Sequence, residues 1–371
     1  MMTLKQLTLT ALSLLCMLTG VPHAHAQQLK EAAPMTVPRE GHTATVLPNG
    51  MVLVAGGISL NGDATAHVEI YDPKRNVWAD AESMTVTRSR HTATLLRNGT
   101  VLVTGGVDKT TFRNNAEIFD PAANTWFALG PMSEALRANH TATMLADGRV
   151  LIAGGNGYPD DEEYEDTMEL GTAVLYDPAA ESWTKVALLR NARQLHTATL
   201  MNNGKVLLTG GVGEFGGLAE SEMYDPATNK WEAAGSMKDA RWSHSATLLK
   251  DGRVLLAGGY GASKSSAAVE LYDSRSGKWS QGPSLATPRH LHTATLLHSG
   301  QVLVDGGVVD SNQVPTAELF DPATNKWTPS GMHLRKRFSH SATLLPSGTV
   351  MLLGGLNADA ILTSAEMCSF K

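Results

Sequence analysis

The chain has 371 residues, 42% of them hydrophobic, with 30 Lys and Arg against 36 Asp and Glu and a net charge of −6. A mildly acidic protein is poorly matched to nucleic acid or to an anionic membrane surface, both of which select a basic face. Its two cysteines, Cys16 and Cys368, exclude a disulfide-dense secreted scaffold.

Lys5 is the only charge at the start of the chain, an apolar stretch follows over residues 7–18, and Ala24-His25-Ala26 precedes a polar turn at Gln27. A short basic start, an apolar run of about a dozen residues and an A-x-A site describe a secretory signal peptide. The run is too short to span a membrane. Residues 1–26 are therefore expected to be removed, leaving a soluble protein exported to the periplasm or beyond. Loss of Lys5 takes the net charge from −6 to −7 and leaves Cys368 as the one cysteine, so no internal disulfide is expected.

From residue 27 onward the chain repeats one phrase seven times. Each unit has an arginine, two variable residues, a histidine opening a Thr/Ser-Ala-Thr run, an Asn/Asp/Ser-Gly turn and an apolar segment closed by Gly-Gly. The histidines are His42, His91, His140, His196, His244, His292 and His340, spaced by 48 or 49 residues except for one step of 56. A period near 50 with a double glycine per unit points to four-stranded propeller blades. In the sixth unit, residues 292–297 are predicted as the inner strand, Ser299-Gly300 as a two-residue hairpin turn, and residues 301–305 as the returning strand. Gly306-Gly307 ends it, residues 317–320 make a third strand, Asp321-Pro322 turns, and Trp327 opens the fourth. The seventh unit stops before its Trp, while residues 29–35 look like an unmatched fourth strand. We expect the N-terminal strand to complete the last blade and so remove the open edges.

The Arg-x-x-His-Thr/Ser-Ala phrase, the Gly-Gly, the Tyr-Asp-Pro and the trailing Trp (Trp78, Trp126, Trp183, Trp231, Trp279, Trp327) resemble the kelch repeat, across essentially all of residues 27–371. The resemblance implies an all-β, seven-bladed kelch propeller of the galactose oxidase-like superfamily, in an exported bacterial form. It also implies that ligands bind the face carrying the loops after Gly-Gly and before the histidine strand. It leaves the activity open, because such propellers include protein-binding modules, a copper radical oxidase, a sugar mutarotase and plant specifier proteins. The oxidase chemistry needs a cysteine crosslinked to a metal-bound tyrosine. Here Cys368 lies at the far end, and Tyr71, Tyr176, Tyr224 and Tyr272 recur in a structural slot. The Glu-x3-Asp-x3-His iron pattern of specifier proteins is missing as well.

A residue type needed by every blade reads as scaffold, and a site should appear where the repeat is broken. The seven histidines are expected to bond backbone or a repeated arginine, and the seven arginines to serve structure. Four departures remain. The long step places Asp160, Asp161, Glu162, Glu163, Glu165, Asp166 and Glu169 in residues 156–171, with Tyr158 and Tyr164 between them. Asp160, Asp161, Glu163 and Asp166 are candidate Ca2+ ligands; no other cofactor is expected, and the alternative is a solvated acidic loop. Asp305 stands where the other units have Ala55, Thr104, Ala153, Thr209, Ala257 and Leu353. Counting back from a two-residue turn sets it opposite Ala294 with His292 as diagonal neighbour, a pair able to orient a general base. In the variable pair before each histidine, Trp242 and Phe338 are a candidate stacking platform, with Arg90, Asn139 and His290 as polar contacts. Cys368 reads as an inert apolar residue.

The favoured reading is a monomeric exported binding module that presents its loop-rich face to a protein, peptide or glycan, with neither nucleic acid nor membrane insertion. The alternative is a periplasmic carbohydrate-active enzyme, mutarotase or isomerase in type, with Asp305, His292 and His290 as its acid–base groups.

Overall fold

The computed structural model describes residues 27–109, 111–132, 135–158 and 167–370. The signal segment expected over residues 1–26 lies outside them. Among the described residues the chain is all β, with seven four-stranded antiparallel sheets, six of them built from one unit each and the last completed by the N-terminal strand. The sixth sheet shows the plan: Thr293–Leu296 innermost, then Val302–Asp305, Thr316–Asp321 and Lys326–Met332 outermost. Its second strand is buried on both faces, because each face meets a neighbouring sheet. That explains why the sequence there is a continuous apolar run rather than an alternating one. In the last sheet the outer strand is Gln27–Ala32, antiparallel to Ala365–Phe370, with Leu29 opposite Cys368.

The core lies between sheets. Leu249, Leu255 and Leu271 of the fifth sheet pack on Val302, Val304 and Phe320 of the sixth. Met35, Val54 and Tyr71 meet Leu345, Met351 and Leu353 where the seventh sheet faces the first. Each such side chain contributes about 1.5–3 kcal/mol by leaving water. At the rim, Trp327 stacks on Phe320 with ring centroids 5.0 Å apart, and its indole N–H donates to Pro283 O at 2.7 Å. Pro283 belongs to the preceding linker, so the tryptophan ties one blade to the next.

The inner hairpin departs from the expected turn. The Leu297 N–H donates to Gln301 O at 2.8 Å and the Gly300 N–H to Leu297 O at 2.9 Å. The loop therefore has three residues, His298, Ser299 and Gly300, with Gly300 at φ 92°, the geometry of a turn followed by a glycine bulge. That extra residue shifts the register by one: Asp305 pairs with Thr293, and Ala294 with Val304. In a strand a shift of one residue moves a side chain to the opposite face.

Candidate functional site

The repeated residues make two rings. Each histidine reaches back with Nε2 to a hydroxyl on the preceding blade's inner strand. His91 meets Thr43 Oγ1 at 3.0 Å, His140 Thr92 at 3.1 Å, His196 Thr141 at 3.0 Å and His244 Thr197 at 3.1 Å. His292 meets Ser245 Oγ at 2.9 Å, His340 Thr293 at 3.2 Å, and His42 joins first to last through Ser341 at 2.9 Å. The partner is thus a neighbouring hydroxyl, where backbone or arginine was expected. Burial pushes His42, His196 and His244 down to about 3, and holds His91, His140 and His292 well below the ordinary imidazole value.

The arginines serve the scaffold. All seven are fully buried, and each donates to the first glycine carbonyl of its own Gly-Gly pair, as Arg241 does to Gly258 O at 3.1 Å. Six also pair with a buried glutamate of the third strand: Glu69, Glu117, Glu222, Glu270, Glu318 and Glu366. Sequence reasoning overlooked these glutamates, although they stand three residues before an Asp or Ser in every unit but the third. There Val174 takes the slot, and Arg137 donates to Thr172 Oγ1 at 2.7 Å.

The variable pairs gather around the axis on one face. The second residue of each pair has a left-handed backbone: Gly41, Arg90, Asn139, Leu195, Ser243, Leu291 and Ser339, at φ 50–59°. Six of their N–H groups donate to the carbonyl of the preceding blade's equivalent, from Arg90 to Gly41 O at 2.9 Å round to Ser339 to Leu291 O at 3.1 Å. Arg90 and Asn139 are therefore neighbours at this mouth, Arg90 exposed and Asn139 bonded through Nδ2 to Asn156 Oδ1 at 2.9 Å. Asp160, Asp161, Glu163 and Asp166 lie outside the described residues. Among the described residues no group of three His, Cys, Asp or Glu is placed to hold a metal ion.

Trp242 and Phe338 do not form one platform. Trp242 stacks on Tyr260 at 5.2 Å, and Tyr260 meets the edge of His290 at 5.0 Å. Phe338 pairs by backbone with Leu356, two blades further on, and makes no ring contact among the described residues. Trp242 closes over Gly217, where a Cβ would lie 2.8 Å from the indole. Gly217 belongs to a short hairpin of the fourth blade, Val212–Gly213 with Gly216–Gly217, whose tip carries Phe215 at 97% exposure. Tyr260 and Phe215 were missed because each sits in a loop without a repeat pattern to mark it.

The acid–base pair inferred for Asp305 is overturned by the register. Asp305 faces the seventh blade, away from His292, with Oδ1 3.2 Å from His340 Nε2 and Oδ2 3.4 Å from His333 Nε2. Its side chain is 0% exposed, as is that of His333. Burial pushes the Asp305 carboxyl up, but the His340 hydrogen bond and the His333, His340 and Arg337 charges outweigh it and hold it below the usual range. A group sealed in this way cannot reach a substrate. His290 is half-buried at the mouth, and Cys368 is buried between the sixth and seventh blades.

Radial four-stranded blades, a hydroxyl–imidazole ring and arginines clamping the double glycines define a kelch β-propeller. The chain belongs to the KLHDC2/KLHL20/DRC7 Kelch-repeats domain family, whose model matches residues 14–211 and 172–355. Two solved structures share the fold. One is a fungal alcohol oxidase of the AA5 family in complex with copper, with TM-score 0.75 and 18% identity, covering 94% of this chain and 77% of that one. The other is YjhT, with TM-score 0.61 and 18% identity, covering 81% of this chain and 99% of that one. No curated protein matches the chain.

Proposed function

We propose that the protein is an exported binding module that takes a protein, peptide or glycan on its loop-rich face, around Trp242, Tyr260, His290 and Phe215. The observation that carries this reading is the local loss of the repeat. The bridged pair at the mouth is Glu40–Ile58, Ser89–Val107, Gln194–Val212, His290–Val308 and Phe338–Leu356 in other blades, and is doubly aromatic in Trp242–Tyr260. Beside it the fourth blade holds Phe215 in water on a two-residue tip. On that tip, beside the aromatic pair, it offers apolar contact area to a partner without disturbing the core. The register leaves the enzyme alternative without its Asp305–His292 pair. Binding of the protein to peptide and glycan arrays tests the proposal. Trp242→Ala is expected to weaken any captured ligand at least about tenfold, or about 1.4 kcal/mol. Captured ligands that bind Trp242→Ala and Phe215→Ala as tightly as wild type would move the site elsewhere.

A further inference from the structure

We propose that the groove between the seventh and first blades, on the face opposite the mouth, binds a small amphipathic anion. The apolar body lies between Pro346 and Met367, and Lys30 and Lys74 hold the oxyanion. The site is independent of the loop-rich binding face.

The groove encloses about 800 Å3, within the roughly 300–1,000 Å3 of small-molecule sites. In the second blade the first residue of the inner turn, Arg97, reaches over the seam to the Ala146 carbonyl of the next blade. In the fifth, Lys250 Nζ donates in the same way to His298 O at 2.6 Å. The seventh blade has Pro346 at this place. A proline has no such reach, and the seam beside it stays open. One wall is the N-terminal strand, where Ala32 turns toward the first blade while Leu29 packs on the sixth. Met367 continues that wall, and Pro48 and Lys74 stand opposite on the first blade.

The rim carries two cations without a counter-charge. Lys30 and Lys74 are exposed and make no ion pair among the described residues. The nearby acids are engaged elsewhere. Glu31 Oε1 lies 3.3 Å from Arg335 Nη2, and Asp72 Oδ1 accepts the Lys74 and Arg75 N–H groups at 2.9 and 3.2 Å. A smaller groove of about 450 Å3 between the third and fourth blades makes the contrast. Its cations are neutralised, Arg149 by Asp147 at 2.7 Å and Lys205 by Asp225 at 2.9 Å. Of these two grooves, only the one at the closure of the ring has positive charge left for a ligand. A carboxylate or a phosphate on an apolar chain matches it, since an oxyanion forms charge-assisted hydrogen bonds with the ammonium groups. Such a ligand would also bridge the N-terminal strand to the first blade.

Calorimetric titration with decanoate tests the site. Decanoate is expected to bind up to about fourfold tighter per methylene than shorter carboxylates, the worth of a buried CH2. It should bind at least about tenfold tighter than decan-1-ol, which lacks the charge. Lys30→Gln/Lys74→Gln, at two exposed side chains, should reduce decanoate to the affinity of the alcohol and leave the thermal midpoint unchanged. Decyl phosphate distinguishes the two oxyanions, and tight binding of either supports the site. Hydrogen exchange across Gln27–Ala32 and Ala365–Phe370 should slow when the ligand is present. Decanoate and decyl phosphate that bind no tighter than the alcohol overturn the proposal. So does an unchanged affinity in the double variant, or protection that falls on the mouth loops instead. Co-sedimentation with phosphatidylglycerol vesicles, without binding of either free anion, would overturn it in favour of a membrane surface.

Discussion

Asp305 Oδ1 lies 3.2 Å from His340 Nε2, across the seam between the sixth and seventh blades, while Oδ2 lies 3.4 Å from His333 Nε2. Both members of the second pair are exceptions. The linker position of His333, whose N–H donates to Pro315 O, is held elsewhere by Met35, Met84, Met132, Leu189, Met237 and Leu285. Asp305 replaces small or apolar residues, or Thr104 and Thr209, which reach the next histidine in the same way. One seam has thus exchanged an apolar contact for a charged one.

That exchange predicts a non-additive result in urea unfolding. His333→Leu leaves the buried carboxylate short of a partner and should cost about 3 kcal/mol, the lower end for breaking a buried pair. The double variant Asp305→Ala/His333→Leu recreates the Ala257–Leu285 contact of the fifth blade and should be as stable as wild type or more so. A double variant no better than His333→Leu would show that the polar pair is not a coupled unit.

The histidine ring predicts acid sensitivity. His42, His196 and His244 have folded values near 3 against about 6.5 in the unfolded chain, and the other four are also depressed. Between those values the unfolded state binds the more protons. Stability is therefore full above about pH 6.5 and falls as the pH drops, by up to about 1.4 kcal/mol per pH unit for each histidine. Asp305, also depressed, adds loss of the same sign at lower pH. Thermal midpoints measured from pH 8 to pH 4.5 should fall steeply below pH 6.5. A flat profile down to pH 5 would contradict the neutral ring.

The arginine clamps predict large, local costs. Arg241 Nη2 donates to Glu270 Oε1 at 2.7 Å, and Glu270 Oε2 accepts the Lys238 N–H at 2.8 Å. Arg241→Met strands a buried carboxylate and should destabilise by about 3–5 kcal/mol in chemical unfolding. A loss under 1 kcal/mol would mean that water reaches the pair.

Phe215 predicts the opposite signature. At 97% exposure it buries nothing, so Phe215→Ser should leave the thermal midpoint within about 1 °C of wild type, as surface substitutions do. Any ligand captured on the arrays should nevertheless be lost or weakened. A marked drop in midpoint would assign Phe215 to the core instead.

Much of this architecture was legible in the sequence, because a repeat states the same strand, turn and double glycine again and again. The strands of the sixth blade fall within a residue of their predicted bounds, and Gln27–Ala32, expected over 29–35, pairs with the last strand. The scaffold role of the arginines was readable for the same reason, although their glutamate partners were not picked out. What misled was one turn. Counting Ser299-Gly300 as a two-residue loop placed Asp305 on the side of His292, whereas the three-residue loop sends it to His340 and His333.

The blade is written into every repeat as local requirements: an inner Thr/Ser-Ala-Thr strand, a continuous apolar second strand, glycines where the backbone must turn left-handed, and a buried arginine per unit. Only the tertiary structure decided which side chains meet. Trp242 closes over Gly217 of the blade before it, and its neighbour Tyr260 meets His290 of the blade after it, because the blades stand radially around one axis. Those contacts cross seams between sheets, and no spacing along the chain encodes the face on which a side chain emerges once a single loop residue can reverse it.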